Sequence, residues 1–306
     1  MNNIICIGTR GSGLALKQTN WVIAALREQA PDTEFVVEQI SSVGDQQADA
    51  PLESLGIGVF TKTIETALLD GKIDVAVHSL KDLPTETTEG LLVMPVLERE
   101  DPRDILIDRW DKPLIDLPEG ARIGTSSPRR AAQLRHGRKD VEFLPIRGNV
   151  ETRIRKAAGP DYDGTVLAAA GVRRLGLEAS ITEYLSPHIC TPAPGQAAIA
   201  AQLRTSDSEL LALVRSIVHG PTLAAVEAER EILRAAGGGC QLPIGALAEV
   251  KDGEIRLFAT VTATDGSKSY RVEVTGPADN PEIAGKAAYQ ELLAQGAGDL
   301  MHGVTT

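Results

Sequence analysis

Two pairs of segments repeat one design along this chain. IGTRGS at 7–12 and IGTSSP at 123–128 each close an apolar run with Gly-Thr and open a helical one. IDVAVHSLKD at 73–82 and DGTVLAAAGVRR at 163–174 each carry a strand to a polar end. Short apolar runs alternating with helical periodicity are buried most simply in a parallel sheet with helices on its faces. The repetition predicts two similar α/β lobes facing one cleft. Functional side chains are then expected at the carboxyl ends of strands, where helix N-termini favour anions.

On this pattern, strands are expected at 3–8, 34–40 and 72–78, and helices at 14–30 and 60–70. The polar, Gly-rich stretch 41–58 has no period and reads as a lid. A second α/β unit begins near 103, with ARIGT a strand, RRAAQLRH a helix, VEFLPI a strand, a helix near 149–158 and then DGTVLAAAG. From about 220 the style changes. A helix at 222–236 runs into a glycine loop, strands at 244–250, 254–263 and 268–275 follow through Asp-Gly turns, and a helix at 280–296 closes a small α+β domain.

The glycine loop, GGGCQLPIG, holds Cys240. Glycines before the sulfur remove nearby Cβ atoms and let a bulky group approach, which suits a covalent attachment point. The ordinary alternative is a small buried hydrophobe, the reading that fits Cys6 in IICIG; Cys190 has no evident role. Three cysteines exclude a closed disulfide framework, and no CxxC or HExxH spacing supports a metal. P-loop and GxSxG motifs are absent, and Leu16 stands where the dinucleotide fingerprint needs its third glycine.

A net charge of −11 and 3% aromatics argue against nucleic acid or an anionic membrane as partner. No apolar run approaches a membrane span and no charged n-region opens the chain, so a soluble, cytoplasmic protein is expected. Locally the balance reverses. Between Arg122 and Lys156 eight Arg and two Lys face Asp140, Glu142 and Glu151, a composition suited to forked recognition of carboxylate or phosphate. In HSLKDLP, Asp82 follows Lys81 at a strand end. Such a carboxylate can hold a cation or relay protons, although a turn or N-cap role is commoner. An enzyme acting on a multiply anionic ligand, a non-catalytic anion-binding module and a phosphate-handling transferase all stay open on these grounds.

Over essentially its whole length the sequence resembles the porphobilinogen deaminase (hydroxymethylbilane synthase) family. The matching runs are GTRGSGLAL, VGDQQADAPL, DVAVHSLKDLP, EREDPRD, GTSSPRR, RGNVETR, AAAGVRRLGL, PAPGQ and GGCQLPIG. The resemblance implies two α/β lobes like periplasmic anion-binding proteins and a C-terminal α+β domain with a three-stranded antiparallel sheet. It places domain 1 at 1–98 with 197–217, domain 2 at 99–196 and domain 3 at 218–306. It implies a dipyrromethane cofactor joined by thioether to Cys240, onto which four porphobilinogen units are polymerised before hydrolysis frees a linear tetrapyrrole. By the same resemblance Asp82 is catalytic. Lys81, Asp82, Thr125, Ser126, Ser127, Arg129 and Arg130 hold the cofactor with Cys240, while Arg10, Ser12, Gln18, Arg147, Arg153 and Arg174 hold substrate or growing chain. No metal is implied. A monomer is, and so is hand-over of product to the next enzyme of the pathway. Three positions depart from the family pattern: Ile57 in GIGVF where lysine is usual, Gly13 for a usual proline, and Ala197 for a usual glycine.

Overall fold

The structure, a computed structural model, describes residues 4–41, 61–237 and 242–301. Most of the expected lid, including Ile57, and the cysteine loop with Cys240 lie outside the described residues. The chain divides into two compact units, Met1–Glu100 with Ala198–Leu223, and Asp101–Ala197 with Ala224–Thr306.

In the first unit a five-stranded sheet has the order β2-β1-β3-β10-β4, formed by β1 (Ile4–Thr9), β2 (Glu34–Gln39), β3 (Val75–Ser79), β4 (Leu91–Val96) and β10 (Ile199–Arg204). Helix α1 (Gly13–Gln29) follows β1, α2 (Lys62–Leu69) precedes β3, and α6 (Ser208–Arg215) follows β10. Strand alternation sends Ile5, Ile7, Val75 and Val77 towards Val22, Ile23 and Leu26 of α1. Cys6 and Ala76 pack instead with Ile64 and Leu68 of α2. Each such buried aliphatic side chain contributes about 1.5–3 kcal/mol of transfer free energy.

The second unit repeats that plan in the order β7-β6-β8-β5-β9. Its strands are β5 (Asp104–Asp108), β6 (Arg122–Gly124), β7 (Glu142–Leu144), β8 (Gly164–Ala168) and β9 (Glu183–Tyr184). Its helices are α3 (Pro128–Gly137), α4 (Val150–Ala157) and α5 (Ala169–Leu175). The glycine of each IGT repeat has one cause in both lobes. A Cβ on Gly8 would lie 2.3 Å from Ile73 Cδ1, and one on Gly124 would lie 2.8 Å from Ile146 Cδ1. At Gly124 the Ile146 Cβ and Cγ2 would also lie at 3.0 Å, so the crowding there is firm, whereas at Gly8 it comes from the movable end of Ile73.

Neither sheet is wholly parallel, which corrects the sequence expectation. β10 runs antiparallel to β3 and β4, and β5 antiparallel to β8. Each follows a crossing of the chain from one unit to the other, so neither is the product of a βαβ turn, the connection that enforces parallel direction. Pro95 within LLVMPV masked β4, and the strand tolerates it because β4 is the sheet edge. AAGVRRL, expected as the polar end of a strand, is helix α5.

The chain returns to the second unit within α7 (Gly220–Ala235) and continues through β11 (Ile244–Lys251), β12 (Glu254–Thr262) and β13 (Ser269–Pro277), a three-stranded antiparallel sheet as expected, to α8 (Pro281–Ala294) and α9 (Gly298–Met301). Ala228, Ile232, Ile244, Leu257, Val261, Ala284 and Leu292 form its core. Among the described residues no single helix is long and apolar enough to cross a membrane, and no cluster of metal-ligating side chains occurs.

Candidate active site

In the first unit, candidate residues gather at the carboxyl end of β3. Leu80–Asp82 form one 3-10 turn directly after Ser79. Leu80 and Leu83 are buried pins on either side, and Leu80 N–H donates to the Ala198 carbonyl at 3.0 Å. Between these pins Lys81 is half-buried and Asp82 exposed. The turn thus presents the aspartate outward from a rigid strand and does not use it as a helix cap.

Arg10 follows the end of β1, and Ser12 caps α1 by accepting from Ala15 N–H at 3.2 Å. Gly13 opens the helix without disturbing that cap. Gln18 is buried and exchanges hydrogen bonds with Ser79 Oγ at 3.0 and 3.2 Å. Its amide ties α1 to the strand end that carries Asp82. His78, one residue earlier, is 8% exposed and its pKa is lowered to about 4, chiefly by burial.

In the second unit the turn after β6 is knitted to the loop after β7. Thr125 N–H donates to Leu144 O at 2.8 Å, while Ser126 Oγ donates to Ile146 O at 2.7 Å and accepts from Ile146 N–H at 3.1 Å. Ser127 then caps α3, with Pro128 in its first turn. That loop carries Arg147, and Arg153 on α4 reaches back to Gly148 O at 2.8 Å. Arg174 on α5 is buried and donates to Ala197 O at 2.6 Å. Ala197 has φ 72, a left-handed conformation that suits the glycine usual there.

The first turn of α3 carries Arg129 and Arg130, 5% and 6% exposed, and both converge on Asp104, which is 0% exposed. Arg129 Nη2 donates to Asp104 Oδ2 at 2.8 Å; Arg130 Nε and Nη2 donate to Oδ1 at 3.0 and 2.7 Å. Gln196 Nε2 adds a bond to Oδ1 at 2.8 Å, and the Cys190 thiol donates to Oδ2 at 3.3 Å. Burial alone would raise the Asp104 pKa, but the two guanidinium groups reverse this and hold it well below the usual carboxylate range. Burial, then Asp104, pushes the Cys190 thiol up to about 12. Two cations share one anion beside a neutral thiol, so this set of contacts carries one net positive charge away from water. Arg130 Nη1 also donates to Val166 O at 3.3 Å, so both guanidinium groups are hydrogen-bonded while the positive charge still exceeds the negative by one.

The segment after Cys190 links the arginines to the C-terminal sheet. Arg129 donates to Thr191 O, and Gln133 exchanges bonds with the Thr191 backbone at 2.7 and 3.1 Å. Thr191 Oγ1 meets Thr260 Oγ1 at 2.8 Å, and Ala246 N–H donates to Pro192 O at 2.9 Å. Glu229, fully buried on α7, accepts from Gly195 N–H and Ala248 N–H at 2.7 and 2.8 Å. Description resumes at Leu242, two residues past Cys240. Sequence reasoning missed Asp104, Thr191, Gln196 and Glu229 and left Cys190 without a role. The available signal was the demand of two adjacent buried arginines for a carboxylate, which EREDPRD could supply.

Residues 5–212 match a family described as "Porphobilinogen deaminase, dipyromethane cofactor binding domain", and residues 223–294 match "Porphobilinogen deaminase, C-terminal domain". A porphobilinogen deaminase of Desulforudis audaxviator is 46% identical over 98% of this chain and 98% of its own length. One of Syntrophomonas wolfei is 45% identical over 96% and 97%. Among solved structures, a YaeC-family lipoprotein of Enterococcus faecalis has a TM-score of 0.44 at 12% identity, covering 78% of this chain and 98% of its own.

Proposed function

The chain belongs to the porphobilinogen deaminase family, and on that premise we propose how its own residues divide the work. The activity is that of a transferase of tetrapyrrole biosynthesis. When bound, the dipyrromethane cofactor supplies the nucleophilic pyrrole end to which four porphobilinogen units are joined, each with loss of ammonia, before hydrolysis releases hydroxymethylbilane.

The observation that carries the residue assignment is the net positive charge buried at Arg129, Arg130 and Asp104, to which a cofactor carboxylate is the fitting partner. Charge-assisted bonds of roughly 1.5–3 kcal/mol each offset the cost of desolvating such an arm. Lys81, Thr125, Ser126 and Ser127 complete the cofactor contacts in this reading. Arg10, Ser12, Gln18, Arg147, Arg153 and Arg174 serve the acetate and propionate arms of substrate and growing chain, Gln18 by steadying Ser79. Asp82 accepts pyrrole N–H groups, stabilises the cation that develops as ammonia departs, and assists proton transfer.

Attachment falls to Cys240. Burial raises the pKa of Cys6 and pushes that of Cys190 to about 12, so neither is poised as a thiolate. Three domains, at 1–98 with 197–217, 99–196 and 218–306, fit the separate hydrophobic cores. A cytoplasmic monomer that hands its product to the next enzyme completes the reading. Its thiols suit a reducing compartment.

Intact mass under denaturing conditions tests the assignment. The purified enzyme should exceed its sequence mass by one dipyrromethane, and Cys240→Ala should abolish the excess. Active enzyme with the mass of the bare polypeptide would refute it.

A further inference from the structure

We infer that Asp104 is a positioning residue for the cofactor: it fixes Arg129 and Arg130 in the one arrangement that leaves a single positive charge for a carboxylate arm. The inference rests on the proposed role of those arginines and goes beyond it.

Asp104 opens β5 and is placed by backbone bonds, pairing with Ala168 of β8 and accepting from Leu185 N–H at 2.9 Å. Its two oxygens are assigned separately. Oδ1 receives Arg130 and Gln196, and Oδ2 receives Arg129 and Cys190. Gln196 in turn accepts from Arg130 Nη2 at 3.4 Å and donates to Pro102 O at 2.7 Å, so the neutral donor is itself anchored. Five donor atoms from four side chains thereby saturate one carboxylate. An asparagine in its place keeps one acceptor oxygen and turns an NH2 group towards a guanidinium, donor against donor. One arginine is then released from its position, and the cluster carries two positive charges where one arm matches only one. Losing an orienting partner of this kind typically weakens a site about 10–100-fold, as it does behind metal ligands.

A purely structural ion pair predicts something else, and the same unit contains a control. Asp163 is 8% exposed and bound to Arg122 at 3.2 Å and Arg109 at 3.5 Å. None of the three belongs to the proposed site.

The test compares full-length wild type, Asp104→Asn, Asp163→Asn and Arg129→Gln. Intact mass gives the fraction of chains bearing dipyrromethane, and the rate at which cofactor-free chains gain that mass is followed during incubation with porphobilinogen. Thermal unfolding is measured alongside. Asp104→Asn should gain cofactor about 10–100-fold more slowly than wild type, whereas Asp163→Asn should melt lower yet load at the wild-type rate. Wild-type loading by folded Asp104→Asn overturns the inference, as does equal slowing in Asp163→Asn. Should Asp104→Asn not fold, Gln196→Met decides: slowed loading with an unchanged melt supports the inference and wild-type loading overturns it. Wild-type loading by Arg129→Gln would instead remove that arginine from the underlying reading. Slow loading there with normal loading in Asp104→Asn would sink this inference alone.

Discussion

Replacing His78 with glutamine should remove an acid-sensitive contribution from the stability of the protein. The ring lies on β3, four residues before Asp82, and is buried. Burial lowers its pKa to about 4, the Arg10 charge acts in the same direction, and the nearby Gln202 side chain opposes them. His78 Nε2 and Gln202 Oε1 each lack a hydrogen-bond partner, and the help Gln202 could give a protonated ring does not offset its burial. An unfolded histidine titrates near 6.5. Above that pH both states are neutral and the residue contributes no pH dependence. As pH falls from about 6.5 towards 4, the unfolded chain takes up the proton first and stability is lost, with the loss complete below about 4. The 2.5-unit gap between 6.5 and about 4 corresponds to roughly 3 kcal/mol, of which about 2 kcal/mol has gone by pH 5. That is a large share of a net stability of about 5–15 kcal/mol. Urea unfolding of wild type and His78→Gln, followed by circular dichroism near pH 7.5 and pH 5, isolates the effect. Whatever the substitution costs at neutral pH, the variant should lose about 2 kcal/mol less than wild type on acidification. Equal losses would refute the reasoning.

Two further outcomes follow from the site. Asp82→Asn should keep the wild-type melting curve and the bound cofactor mass, because Leu80 and Leu83 pin the turn, while single-turnover release of ammonia falls at least about 100-fold and Asp82→Glu retains part of it. Ala197→Gly should be neutral or stabilising by up to about 1 kcal/mol in thermal unfolding, since relief of a left-handed alanine is partly offset by the added freedom of glycine in the unfolded chain.

Much of this architecture was legible because its signals are local. IGTRGS and IGTSSP announced both lobes, and the structure explains their glycines by Ile73 and Ile146. Apolar periodicity placed α1, α3 and α7 to within a few residues. Strand direction was not legible, since β5 and β10 are set by where the chain crosses between units and carry no mark of orientation in their own residues. The arginines of GTSSPRR stood out by charge density, whereas Asp104 lay a strand away among five other charged residues in EREDPRD. Only burial distinguishes it: Asp104 is 0% exposed, while Glu98, Arg99, Glu100, Asp101 and Arg103 are not buried. Gln18 was expected among the substrate-holding residues on the family resemblance alone, with no sign in its own surroundings of what its amide does. The fold uses both ends of its amide on Ser79.

The cluster at Asp104 also bears on why a chain with three cysteines attaches its cofactor at one. Cys190 lies within 3.6 Å of Arg129 Nη1, a neighbour that by itself favours a thiolate. The carboxylate on its other side decides the matter. Cys190 gives its proton to a hydrogen bond with Asp104 Oδ2 at 3.3 Å, and ionising it would set two anions against each other without water. With its pKa pushed up to about 12, the thiol stays protonated at neutral pH. The residue that gathers the two arginines therefore also keeps the neighbouring Cys190 thiol protonated. In the proposed reading an electrophilic pyrrole whose acidic arm is drawn to that positive charge then meets a protonated thiol at Cys190, and attachment is left to Cys240, which three glycines precede in the sequence.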